Sequence, residues 1–93
     1  MTQRIALPPG GFRGPVKRSV TIAGHQTSIS LEPIFWSALE AAATGHGLPL
    51  NALIAQIDVL RISADDPANL ASAIRSWLLA VNLSVSESQS QQG

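Results

Sequence analysis

Residues 16–32, VKRSVTIAGHQTSISLE, carry the strand signals of this chain, and three helical patterns follow them. Val20 and Ile22 alternate with polar neighbours. Thr27, Ile29 and Leu31 alternate in turn with Gln26, Ser28 and Ser30. Period-two alternation rich in β-branched residues marks a half-buried strand. A lone strand leaves N–H and C=O groups unpaired along both edges, so it must find a partner. The chain can fold back at Ala23-Gly24-His25-Gln26, or run on as one long strand, with 26–32 its firmest part. A two-residue Gly24-His25 loop would set Ile22 opposite Thr27 and Val20 opposite Ile29. An isolated hairpin is itself marginal in water. A second copy that adds its own strand to an antiparallel ribbon is the simplest remedy.

Three helical patterns follow. Pro33 suits a first helical position, where its missing N–H costs nothing. Phe35, Leu39 and Ala42 then recur at helical spacing, with Trp36 and Ala43 beside them. Gly45 and Gly47 offer left-handed stops. A second helix opens at Leu48-Pro49, with Leu50, Leu53, Ile54, Ile57 and Leu60 on one face, and runs to about Ile62. Asp65-Asp66-Pro67 is a cap-plus-proline start for a third helix, and Asn69 is a second candidate cap. Its apolar positions are Leu70, Ile74, Trp77, Leu78 and Val81.

These elements divide the chain into a flexible basic arm over 1–15, a folded domain over 16–83 and a polar disordered tail over 84–93. The arm holds three prolines, three glycines and two arginines, too little apolar surface to offset its ordering entropy. The tail, SVSESQSQQG, is of low complexity. The domain's core is thin: hydrophobic residues make up 45% of the chain, but 13 are alanine. A domain of this size buries only about 60% of its unfolded surface. With no cysteine and two isolated histidines, disulfides and metal staples are not expected, which leaves oligomerisation.

The formal net charge is zero, yet it is unevenly spread. Arg4, Arg13, Lys17 and Arg18 face no acid within residues 1–31. Residues 32–93 set Arg61 and Arg75 against six acids. Such a split suggests a basic segment for an anionic partner.

The segments Thr27-Ser28-Ile29-Ser30-Leu31-Glu32-Pro33, Phe35-Trp36 with Leu39, and Gly47-Leu48-Pro49-Leu50-Asn51-Ala52-Leu53 resemble the ribbon-helix-helix DNA-binding fold. Gly24-His25, Ile57-Asp58, Asn69-Leu70, Ser72-Ala73 and Arg75 extend the likeness, more narrowly, to its group of short bacterial proteins. It covers about 17–79. The resemblance implies a mostly α fold with a short N-terminal β element and an added C-terminal helix. It also implies an obligate homodimer, open to pairing into tetramers, whose intersubunit antiparallel β-ribbon enters the major groove of double-stranded DNA.

Carried onto this chain, the base-facing residues are Gln26, Ser28 and Ser30, with Thr27, Ile29 and Leu31 toward the core. The phosphate grip lies at Gly47, Leu48, Pro49, Leu50 and Asn51, because a helix N-terminus offers free N–H groups and partial positive charge. Lys17 and Arg18, just before the ribbon, are the expected additional phosphate contacts. The chain departs from the family where Ser28 and Ser30 replace stronger readers. Glu32 closes that row with a negative charge, and Pro49 lacks both a hydroxyl and an N–H.

The expected function is therefore that of a sequence-specific DNA-binding protein, a transcriptional regulator of the cytoplasm that needs no cofactor. The rival is a protein-interaction module, or an antitoxin-like protein on the same fold, with a protein partner and weak or no DNA binding. The sequence holds no Gly-rich phosphate loop, nucleophile elbow or acid–base pair, so no enzyme is expected. No apolar run is long enough for a transmembrane helix, and the first residues lack the apolar stretch of a secretory signal. His25 reads as a turn residue, Trp36 and Trp77 as core or interface anchors, and Arg75 as a partner for an acid or a helix end.

Overall fold

The structure, a computed structural model, describes residues 4–92. Its elements are β1 (Val16–Ile22), β2 (His25–Leu31), α1 (Pro33–Gly45), α2 (Leu50–Ile62) and α3 (Leu70–Gln92). The alternating segment is an antiparallel hairpin within one chain.

The hairpin turns at Ala23 and Gly24, not at Gly24 and His25. Both turn residues have positive φ, 50° and 83°, as the type I′ turn that matches strand twist requires. A Gly24-His25 loop would put the second of those strained positions on histidine. The observed turn sets Ile22 opposite His25, Val20 opposite Thr27 and Arg18 opposite Ile29. The expected ladder, with Val20 opposite Ile29, is thus displaced by two residues. An even displacement leaves every side chain on its expected face.

Pro33 opens α1 as expected. The helix ends in a Schellman pattern, with Leu48 N–H donating to Ala43 O and Gly47 N–H to Thr44 O. Gly47, at φ 66°, supplies the left-handed residue, while Gly45 stays in the helix. At α3 the cap is Asn69, whose Oδ1 accepts the Ser72 N–H at 2.8 Å. Asp65-Asp66-Pro67 belongs to the connection before it, since a side-chain acceptor must lie two or three residues ahead of the N–H it caps. The α3 helix outlasts its apolar pattern and continues through 84–92, the stretch read from sequence as tail. Residues 4–15 hold no helix or strand; a turn closes where Gly11 N–H donates to Pro8 O.

The inner face of the hairpin packs on all three helices. Val20, Ile22, Ile29 and Leu31 meet Trp36, Leu39, Leu53, Ile54, Ile57, Ile74 and Leu78 in one cluster. No polar side chain is buried among the described residues. Trp36 is 1% exposed, and its indole N–H donates to Val16 O at 2.9 Å, locking α1 to the start of β1. Leu60 departs from the expected apolar face: it is exposed, as are its neighbours Val59 and Ile62, and the buried stripe of α2 ends at Ile57.

Candidate nucleic-acid interface

The pleat sorts the hairpin by parity. Even residues of β1 and odd residues of β2 face the helices. Lys17, Ser19 and Thr21 share the outer face with Gln26, Ser28 and Ser30, in the cross-strand pairs Lys17–Ser30, Ser19–Ser28 and Thr21–Gln26. Five of the six are exposed and Ser30 is half-buried. The face is polar, carries one positive charge and contains no acid. The three residues expected to face bases therefore stand in one row, with a second row on β1 beside them. Ser19 and Thr21 did not figure among the expected site residues, although their shared parity with Lys17 was open to reading.

Lys17 and Arg18, expected to act together, point to opposite faces. Arg18 shares the inner side with Val20 and Ile22. Its Nη1 donates to Glu40 Oε1 at 2.7 Å, and its guanidinium lies 4.6 Å from the centroid of the Trp36 ring. The partners are about half exposed, so the ion pair itself is weak. The stack on Trp36 adds a cation–π attraction that fixes the direction of the side chain.

Glu32, the negative charge that closes the outer row, is drawn toward α3. Arg75 donates from Nε and Nη2 to its Oε1, at 3.1 and 2.9 Å, while lying over the Phe35 ring. Its own backbone N–H and the Arg75 hydrogen bonds hold the Glu32 carboxyl below the usual carboxylate range.

The residues expected to grip phosphate lie at the α1–α2 junction, on a separate element from the hairpin face. Gly47, Pro49 and Asn51 are exposed; Leu48 and Leu50 are half-buried. Pro49 is the N-cap residue of α2, and no side chain caps that end. Pro49 O accepts from Ala52 and Leu53 N–H, which leaves the N–H groups of Leu50 and Asn51 as the uncapped donors. The first turn holds no acidic residue. Such an end suits an anion on electrostatic grounds.

The inner side of the hairpin tip borders a cleft of about 440 Å³ between Ile22, Thr27, Asp58, Arg61 and Leu70. Its two charges satisfy each other, with Arg61 Nε donating to Asp58 Oδ1 at 2.8 Å and Nη1 to Ala68 O. Among the described residues, no three His, Cys, Asp or Glu side chains gather as a metal site would need. No described helix is long and apolar enough to cross a membrane.

Comparison with known families matches the chain to the ribbon-helix-helix domain over residues 15–81. Neither the curated proteins nor the solved structures yield a match. This domain is typical of DNA-binding regulators and antitoxins, is generally non-enzymatic, and typically binds DNA as a dimer. The matched span runs from the residue before β1 to the middle of α3, so that the hairpin with its polar outer face, α1, α2 and the first half of α3 fall within it; the chain belongs to the ribbon-helix-helix domain family.

Proposed function

We propose that the protein is a homodimeric, sequence-specific DNA-binding regulator of transcription that presents the outer face of its hairpin to the major groove. The observation that carries this reading is the acid-free polar face with Lys17 on it, backed by a buried inner face.

The ladder within the hairpin supports dimerisation through β2. A two-residue loop closes on a hydrogen-bonded pair, so Ile22–His25, Val20–Thr27 and Arg18–Ile29 bond within the hairpin. On β2 the backbone groups of Gln26, Ser28 and Ser30 then point to the free edge. That edge carries neutral side chains, whereas Lys17 marks β1 as the edge protected from pairing. A two-fold axis at Ser28 would set Gln26 opposite the Ser30 of a second copy, giving an intersubunit ribbon of two β2 strands. Exposed Ile34, Val59, Leu60 and Ile62 supply further apolar surface for a second chain to cover.

In this complex Gln26, Ser28 and Ser30 face base edges, and Lys17 contacts phosphate. The Leu50 and Asn51 N–H groups, in the first turn of α2 just after the loop Gly47-Leu48-Pro49, receive a second phosphate. Arg18 acts through position: it holds the hairpin on α1 by way of Trp36 and Glu40. Arg75 draws Glu32 away from the outer row and offsets its negative charge, which lessens its repulsion of phosphate. No cofactor takes part, and the site of action is the cytoplasm.

A second reading, a protein-interaction module or antitoxin-like protein, is favoured by Leu79 and Leu83, exposed one turn apart on α3. Fluorescence anisotropy with labelled duplex DNA at low salt separates the two. Saturable binding weakened by Lys17→Ala supports DNA as the partner; no binding at low salt leaves the protein-partner reading in its place.

A further inference from the structure

We propose that β1 is a phosphate-contacting strand, with Lys17, Ser19 and Thr21 binding the DNA backbone along the groove walls while β2 alone reads bases. The inference rests on the DNA-binding reading above and deepens it.

Pairing two hairpins through β2 gives a sheet in the order β1-β2-β2-β1, the outer strands belonging to different copies. Adjacent strands lie about 4.8 Å apart, so the two β1 strands stand roughly 14 Å apart. The major groove is about 12 Å wide and admits a two-stranded ribbon. Four strands do not fit inside it. The central β2 pair enters, and each β1 comes to lie over a sugar–phosphate backbone.

The chemistry of β1 suits that place. Lys17, Ser19 and Thr21 are exposed, and among the described residues none makes a side-chain hydrogen bond within the chain. They offer one ammonium and two hydroxyls, groups that donate to phosphate oxygens without regard to base sequence. Alternate residues of a strand recur about every 6.7 Å, close to the stride of successive phosphates along one DNA strand. No acid lies within residues 4–31 to oppose them.

The test compares wild type, the double variant Ser19→Ala/Thr21→Val and the single variant Ser28→Ala against a panel of duplexes, by anisotropy at fixed salt. The double variant is expected to lose about tenfold or more in affinity for every duplex, as expected for several lost hydrogen bonds to charged groups, with the rank order of sequences unchanged. Ser28→Ala is expected to change the rank order. Thr21→Ser keeps the hydroxyl and is expected to retain wild-type affinity, which separates a lost contact from a damaged fold. Wild-type affinity in the double variant overturns the proposal, and so does a changed rank order, which would make β1 a base reader. Failure of wild type to bind any duplex overturns the DNA-binding reading itself, and so is distinguishable from either.

Discussion

Arg75, on α3, donates two hydrogen bonds to one oxygen of Glu32, which lies 43 positions away in the chain at the junction of β2 and α1. The pair closes the third helix onto the end of β2 and turns the Glu32 carboxylate toward α3.

The Glu32 carboxyl is held below its ordinary range by its own backbone N–H and by Arg75. A lowered folded-state value means that this contribution to stability is complete above the unfolded carboxylate value, and is lost as pH falls through the lowered one. Thermal melts between neutral and acid pH should therefore show a loss of stability on acidification. Glu32→Gln should flatten that dependence and lower the melting temperature at pH 7.

The turn gives a second prediction. Ala23 adopts φ 50°, a left-handed conformation that costs a residue with a Cβ about 1–2 kcal/mol. Ala23→Gly should relieve this strain and offset it in part through greater freedom of the unfolded chain. Ala23→Asn, better suited to the position, should stabilise by about 0.5–1 kcal/mol. Gly24→Ala, at φ 83°, should destabilise by about 1–2 kcal/mol. Urea unfolding midpoints measure all three.

Much of this was legible in the sequence, and the rest was lost at identifiable points. Alternation put Gln26, Ser28 and Ser30 on one face, and the structure keeps them there because the register moved by an even number of residues. The register itself was hidden, since it depends on Ala23 accepting a positive φ that no side chain announces. Arg18 shares parity with Val20 and Ile22, so its inward direction was readable; proximity to Lys17 obscured it. The pairing of Arg75 with Glu32 rests on how α3 returns across the fold, which periodicity does not encode. Leu60 fits a helical stripe on paper, but the core of α2 ends one turn earlier, at Ile57.

Trp36 carries a third prediction. Its ring is buried and its N–H donates to Val16 O at 2.9 Å. Trp36→Phe removes that donor and leaves a small void, which should cost about 1–3 kcal/mol. Trp36→Ala should cost about 3–5 kcal/mol, a large part of the stability of so small a domain. Chemical denaturation followed by far-UV circular dichroism reads both.

Neighbouring cations should behave differently. Arg18→Ala breaks the contacts with Glu40 and Trp36 and should lower stability by up to about 1 kcal/mol, in keeping with a half-exposed pair. Lys17→Ala, on the outer face, should leave stability within about 0.5 kcal/mol. Paired unfolding curves at low and high salt distinguish them, because only the Arg18 effect is structural.

DNA binding by the outer face of the hairpin, as part of a dimer, carries the proposed function. Its most direct test is the salt dependence of duplex binding for wild type and Lys17→Ala. Saturable binding is expected at low salt, weakening linearly on a log–log scale. Lys17→Ala should reduce that slope by about 2, from two lysines per dimer at about 0.9 each. No binding at low salt, or an unchanged slope in the variant, would contradict it.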